Sequence, residues 1–124
     1  MATKRILVVD DDLSILEVVE AALRWLGGWQ VLKAHSGKTG LEKAHLEKPD
    51  MILLDVTMPD LDGLTFLDYL RSDSITQSIP VILLTGYRYL PHADILKEKG
   101  VLEVIPKPFA PVNLVKRVAE EMKC

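Results

Sequence analysis

Three acids in a row, Asp10, Asp11 and Asp12, end the apolar run Ile6-Leu7-Val8-Val9, and a fourth, Asp55, ends Met51-Ile52-Leu53-Leu54. Thr85 follows Val81-Ile82-Leu83-Leu84, and Lys107 stands just after the run Val101–Ile105. Carboxylates crowded where a buried strand stops repel one another. Two unit charges about 4 Å apart cost roughly 4 kcal/mol at an effective dielectric near 20. A divalent cation relieves that repulsion, because hard cations take oxygen ligands, and a hydroxyl and an ammonium beside it can bind phosphate oxygens. The set is suited to phosphoryl transfer, where catalysis comes from positioning and from neutralising the charge on the equatorial oxygens.

These residues share one rim only if the runs they end are parallel strands of one sheet. Apolar runs of strand length occur at Ile6–Val9, more weakly at Val31–Ala34, and then at Met51–Leu54, Val81–Leu84 and Val101–Ile105. Helix-period segments alternate with them, which implies βαβ units and a parallel sheet covered on both faces. The first, third and fourth runs are continuously apolar and are predicted to be central. A first helix is predicted from about Leu13 to Leu26, with Leu16, Val19, Leu23 and Leu26 on its buried stripe, Asp12 as N-cap and Gly27 after its end. Ser36 is expected to cap a second helix ending before Pro49. A third is expected from about Asp62 to Arg71, and a fourth after Pro91, a residue suited to a first helical turn. The last follows Pro111 and carries Val115, Val118 or Ala119, and Met122 at helical spacing. Such a doubly wound sheet binds ligands outside the carboxyl ends of its strands.

Composition is consistent with this reading. The 124 residues, 48% hydrophobic and 27% charged, suit one globular domain spanning 1–124 and exclude a disordered or collagen-like chain. The net charge of −3 carries no basic stripe, so direct nucleic-acid contact is not expected. Cys124 is the only cysteine, so an internal disulfide or a cysteine metal cluster cannot form, and a cytoplasmic setting fits. The apolar run near the N-terminus is too short for a signal peptide or a membrane span.

Four segments carry a family likeness: Ile6-Leu7-Val8-Val9-Asp10-Asp11-Asp12, Ile52 through Gly63 with its Asp55-Val56-Thr57-Met58-Pro59, Leu84-Thr85-Gly86, and Pro106-Lys107-Pro108-Phe109. Together they resemble the receiver domains of two-component response regulators. The resemblance runs the length of the chain, with separations of 44, 30 and 22 residues between Asp11, Asp55, Thr85 and Lys107. It implies a flavodoxin-like (βα)5 fold with strand order 2-1-3-4-5. It also implies that Asp55 is the phosphoacceptor and that Asp11, Asp55 and the backbone carbonyl of Thr57 hold Mg²⁺ or Mn²⁺, with Asp10 acting mainly through a bound water. Thr85 and Lys107 would bind the phosphoryl oxygens. Expected partners are a sensor histidine kinase or histidine phosphotransfer protein upstream, and an effector protein or output domain downstream that meets the face of the fourth helix, fifth strand and fifth helix. Such a protein catalyses its own phosphorylation and dephosphorylation rather than turning over an external substrate.

The chain also departs from the family pattern. Many receivers have Tyr or Phe three residues before the lysine, where this chain has Val104, so output is expected to rely on the Thr85 loop and the fourth helix, with Tyr87 and Tyr89 as candidate moving rings. Thr57 and Tyr87 flank the path of an attacking water in the family geometry, and bulky Tyr87 is expected to slow loss of phosphate. The Gly27-Gly28 turn carries one residue more than the family leads one to expect. A cis peptide is expected between Lys107 and Pro108, where cis costs only about 0.5–1 kcal/mol.

Blander roles suit other residues. Asp12 reads as a cap only, and Asp60 and Asp62 as shaping a turn and capping the third helix. His35, His45 and His92 lack metal-ligand spacing, and Trp25 and Trp29 read as packing beside a helix end. A haloacid-dehalogenase-like hydrolase would need Asp-x-Asp-Gly at a strand end, yet Leu13 follows the first such pair and the second lies after Pro59. Nucleotide-binding glycine motifs are lacking, and an EF-hand fails because Met58 and Tyr69 fall at ligand positions. The remaining alternative is a receiver fold that docks partners without phosphotransfer. With nothing after the last helix, the chain reads as either a stand-alone receiver or one cut from a longer regulator or hybrid kinase.

Overall fold

The computed structural model describes residues 3–86 and 90–122. Strands β1 (Arg5–Val9), β2 (Gln30–Ala34), β3 (Met51–Asp55), β4 (Val81–Thr85) and β5 (Val101–Pro106) alternate with helices α1 (Leu13–Trp25), α2 (Gly37–Glu47), α3 (Gly63–Ser72), α4 (Ala93–Glu98) and α5 (Pro111–Glu121). All strand pairs are parallel and the order is β2-β1-β3-β4-β5, as expected.

β3 and β4 are buried at every position because helices cover both faces, which is why their sequences are continuously apolar rather than alternating. Each strand sends alternate side chains to opposite faces. Leu7, Val9, Ile52, Leu54, Val81 and Leu83 pack under α2, α3 and α4 around Phe66, Leu67 and Leu70. Ile6, Val8, Leu53, Ile82, Leu84 and Ile105 pack under α1 and α5. Fully burying one such side chain stabilises by about 1.5–3 kcal/mol.

The helix starts follow the caps. Asp12 accepts from the backbone N–H groups of Ser14 and Ile15, Ser36 from Thr39, and Asp62 from Thr65. Pro111 opens α5.

Several expectations are corrected. Leu26 is 58% exposed, and Ala22 takes its place on the buried stripe of α1, because the helix ends at Trp25 and the chain turns away through Gly28 at φ +74°. In α5 the buried positions are Leu114 and Val118, while Val115 and Met122 are only partly buried. Pro91 lies outside α4: His92 takes the N-cap position, its Nδ1 accepting from the Asp94 N–H, and the helix begins at Ala93. Trp29 packs against the core beside α1, but Trp25 is 85% exposed. Gly27 faces the Trp29 ring so closely that a Cβ there would lie 2.3 Å from it.

Candidate functional site

Register brings the acids together. Val9 pairs with Leu54 across β1 and β3, so Asp10 and Asp55, one residue further on, end adjacent strands at the same level. Asp55 pairs with Leu84, and Thr85 pairs with Pro106, so Thr85 and Lys107 lie on the same rim. The Lys107 backbone N–H donates to the Thr85 carbonyl at 2.8 Å, and the Lys107–Pro108 peptide is cis, as expected.

Asp10, Asp11 and Asp55 each offer a carboxylate oxygen, and these atoms lie within 4.8 Å of one another. An all-oxygen, carboxylate-rich donor set of this kind fits Mg²⁺ or another hard divalent cation. The three acids differ in what else they touch. Asp10 is fully buried, one oxygen accepting from the Asp12 N–H at 2.9 Å and the other from Lys107 Nζ at 2.7 Å. Asp55 is buried to 6% exposure and accepts from Lys107 Nζ at 3.1 Å. Asp11 is exposed at the mouth of the cluster.

Burial pushes the Asp55 carboxyl up to about 6, and the negative charge of Asp10 adds to this. Lys107 and the Thr57 backbone N–H pull the other way. Burial also works against the Lys107 ammonium, but its hydrogen bonds and charge interactions with Asp10 and Asp55 outweigh that and hold its pKa above the ordinary lysine value. One lysine thus supports two carboxylates at a half-buried position. Breaking such a pair costs far more than breaking a surface pair.

The segment after Asp55 is held from below and from the side. Gly63 opens α3 against the backbone of Asp55 and Val56: its N–H donates to the Val56 carbonyl at 2.7 Å, and a Cβ on it would lie 2.8 Å from Val56 Cα. Thr57 is exposed and Met58 buried. Asp62 caps α3 as expected, but Asp60 does not. Its two oxygens accept from the Gly37 and Lys38 N–H groups at the start of α2, each at 3.0 Å. These bonds hold the Asp60 carboxyl below the ordinary carboxylate value, the Lys38 bond most, then the Gly37 bond. The sequence shows Asp60 near a turn, but its partner lies 23 residues away and nothing local marks it.

Thr85 is buried at the end of β4. Val104 is partly buried in β5, packed against the Phe66 cluster and in register with Leu83. Tyr87 and Tyr89 lie outside the described residues, as does Cys124. His35 is exposed after β2, and His45 pairs with Asp73 at 2.6 Å on the surface.

A doubly wound sheet with three clustered carboxylates and a lysine at its strand ends defines an α/β protein whose candidate site lies at the carboxyl rim. The chain belongs to the response regulator receiver domain family, whose model matches residues 6–119. It is 37% identical over 115 residues to a probable transcriptional regulator, ycf27, of Cyanophora paradoxa, covering 93% of this chain and 46% of that protein. It is 36% identical to the alkaline phosphatase synthesis transcriptional regulatory protein PhoP of Bacillus subtilis, covering 93% of this chain and 47% of that one. The chain therefore spans about half the length of the curated relatives it matches. Among solved structures, a CheY-like receiver domain protein of Methanospirillum hungatei superposes with a TM-score of 0.86 at 30% identity, covering 97% of this chain and 94% of that one. The chemotaxis response regulator CheY4 of Vibrio cholerae superposes with a TM-score of 0.85 at 30% identity, covering 96% and 98%. The chain is thus a receiver of the two-component signalling type.

Proposed function

We propose that Asp55 is the phosphoacceptor and that residues 1–124 act as one receiver unit switched by its phosphorylation. The single observation behind this is the unequal engagement of the three clustered acids. Asp10 has both oxygens committed and no exposed surface, and Asp11 lies at the mouth among solvent. Asp55 combines a small exposed fraction with contacts to Lys107 and the Thr57 N–H, so it can present an oxygen to an incoming phosphorus while its charge is balanced.

In the proposed reaction an Asp55 oxygen bonds to phosphorus as the phosphorus–nitrogen bond to a donor phosphohistidine breaks, and the released imidazole takes up a proton. The donor is a sensor histidine kinase or a histidine phosphotransfer protein, or a small phosphodonor such as acetyl phosphate, from which the phosphorus–oxygen bond breaks and acetate leaves. Asp11, Asp55 and the Thr57 carbonyl would hold Mg²⁺ or Mn²⁺, with Asp10 acting through a water. That cation would neutralise charge on the phosphoryl oxygens. Lys107 pairs with the phosphoryl group once it is on Asp55, and the Thr85 hydroxyl donates to it. These contacts exist only in the phosphorylated state, which is what shifts the equilibrium of the adjoining loops. Val104, lacking a ring, leaves that shift to the Thr85 loop and α4, with Tyr87 and Tyr89 as the moving rings and Thr57 and Tyr87 setting phosphate lifetime. The readout is an effector protein or an output domain, in a cytoplasmic setting. Among the described residues no helix is long and apolar enough to cross a membrane.

Incubation with acetyl phosphate or phosphoramidate and Mg²⁺, read by intact mass, is expected to add one phosphoryl group to the parent and none to Asp55→Asn. An unmodified parent, or an equally modified variant, overturns the assignment.

A further inference from the structure

The loop between Asp55 and α3 carries Thr57, and it is tied to the start of α2, an element that carries none of the candidate site residues. Asp60 grips the start of α2 with both carboxylate oxygens, each 3.0 Å from a backbone N–H, of Gly37 and of Lys38. A second contact seals the same joint. Leu61 lies against Gly37 so closely that a Cβ on Gly37 would sit 2.6 Å from Leu61 Cβ. Ser36, just before, caps α2 through Thr39, so Asp60 satisfies two further N–H groups that a helix start leaves without intrahelical partners. The far end of the loop is fixed by Gly63 on the Val56 carbonyl. Only the stretch from Thr57 to Pro59 lies between those two anchors.

We infer that Asp60 is a positioning residue for the cation site: by clamping the loop to α2 it sets where the Thr57 carbonyl stands relative to Asp11 and Asp55. This rests on the cation site proposed above. Groups one step removed from a metal commonly change affinity by about 10–100-fold when lost. A clamp that acts through the loop backbone belongs at the lower end, about 10-fold. Loss of the clamp frees the loop without touching Asp10, Asp11, Asp55 or Lys107.

The test is calorimetric titration of Mg²⁺ into the unphosphorylated protein, with amide hydrogen exchange at Gly37 and Lys38 in parallel. Asp60→Ala is expected to raise the Mg²⁺ dissociation constant about 10-fold and to speed exchange at both amides. Asp60→Asn keeps one acceptor oxygen and is expected to fall between parent and Asp60→Ala. Removing a nearby negative charge weakens cation binding by itself, so a charge-neutral lever is needed. Gly37→Ala displaces Leu61 from the other side of the joint and is expected to weaken Mg²⁺ binding in the same direction. It also serves if Asp60→Ala does not fold. Parent-like Mg²⁺ affinity in Gly37→Ala, with Asp60→Asn as weak as Asp60→Ala, would mean that Asp60 acts by charge alone and overturns the inference. Parent-like affinity in Asp60→Ala does the same. If the parent itself takes up no Mg²⁺, the cation site fails first and the inference falls with it.

Discussion

Two half-buried cations stand at opposite ends of the sheet, and they are held in different ways. Lys107, at the carboxyl rim, pairs with Asp10 at 2.7 Å and Asp55 at 3.1 Å. Among the described residues, Arg71, at the end of α3, has no such acidic partner. Its guanidinium donates to the backbone carbonyls of Lys99 at 2.7 Å and Gln77 at 3.0 Å, with longer contacts to Thr76 and Gly100 at 3.4 Å. Gly100, at φ +81°, comes so near that a Cβ would lie 2.4 Å from an Arg71 nitrogen. Burial lowers the Arg71 pKa, whereas the two carboxylates raise that of Lys107. Neutral carbonyls in a fixed loop have no second ligand to exchange for, so Arg71 ties loops together in one state. Carboxylates can trade an ammonium for a metal ion or a phosphoryl group, so the Lys107 end can occupy more than one state.

The sharpest way to break this contrast is Lys107→Met. It should slow phosphorylation from acetyl phosphate on the order of 10²-fold, the scale on which losing one charge-stabilising donor acts. Without Mg²⁺ the variant should also lose about 2–3 kcal/mol in urea unfolding, because Asp10 and Asp55 are left facing one another. Mg²⁺ should restore much of that loss. If stability stays low whatever the Mg²⁺ concentration, the lysine and the cation are not interchangeable partners of the same acids.

Arg71→Ala is the matching experiment at the other end. It removes the donor from several part-buried carbonyls, each costing about 1–3 kcal/mol if left unsatisfied. Water reaching the opened site reduces the sum, and a loss of about 3 kcal/mol is expected. Mg²⁺ should recover none of this beyond its effect on the parent, and the folded variant should be phosphorylated at the parent rate. A variant that is rescued by Mg²⁺, or is slow to take up phosphate, would erase the distinction between the two ends.

The two ends also differed in how far the sequence revealed them. Asp10, Asp11, Asp55, Thr85 and Lys107 were legible because each ends an apolar run, and runs buried on both faces keep their parallel strand character in the sequence itself. Arg71 carries no such signal, since a basic residue in a last helical turn reads as a complement to the helix dipole and its acceptors are main-chain carbonyls without a side-chain signature. Asp60 was hidden for the same reason: its partners are two amides on another helix. Leu114 was missed because Val115 and Met122 make an equally good stripe about 100° around α5, and only the packing of α5 on α1 and β5 decides between them. The skipped Leu102 in the β4 to β5 pairing is likewise unmarked, because nothing in Val101-Leu102-Glu103-Val104-Ile105 announces an extra residue.

A subtler test exploits the raised pKa of Asp55. A carboxyl that titrates near 3.9 when unfolded and at about 6 when folded binds its proton more tightly in the folded state. Its contribution to stability is therefore present below pH ~4 and lost as pH rises through 6. Asp55→Asn should accordingly stabilise the Mg²⁺-free protein at pH 7 by about 1–3 kcal/mol, with the gain shrinking toward pH 4. Urea unfolding of parent and variant across that range measures it. A pH-independent difference would mean that the lysine fully compensates the two acids.

The smallest effect expected is at Asp12, and it separates the members of the acidic run. Asp12 accepts from the Ser14 and Ile15 N–H groups and so caps α1, while its own N–H donates to Asp10. The donation to Asp10 comes from the main chain and survives a side-chain change, whereas the cap does not. Asp12→Ala should therefore cost about 1 kcal/mol of stability, as loss of a helix cap does, and should alter the phosphorylation rate less than about twofold. Asp11→Ala, at the adjacent position, should do the reverse, leaving stability near that of the parent and sharply reducing Mg²⁺ binding. Equal effects of the two substitutions on Mg²⁺ affinity would show that the run acts as a diffuse negative patch. The division predicted here instead gives Asp10 to the lysine, Asp11 to the cation and Asp12 to the helix.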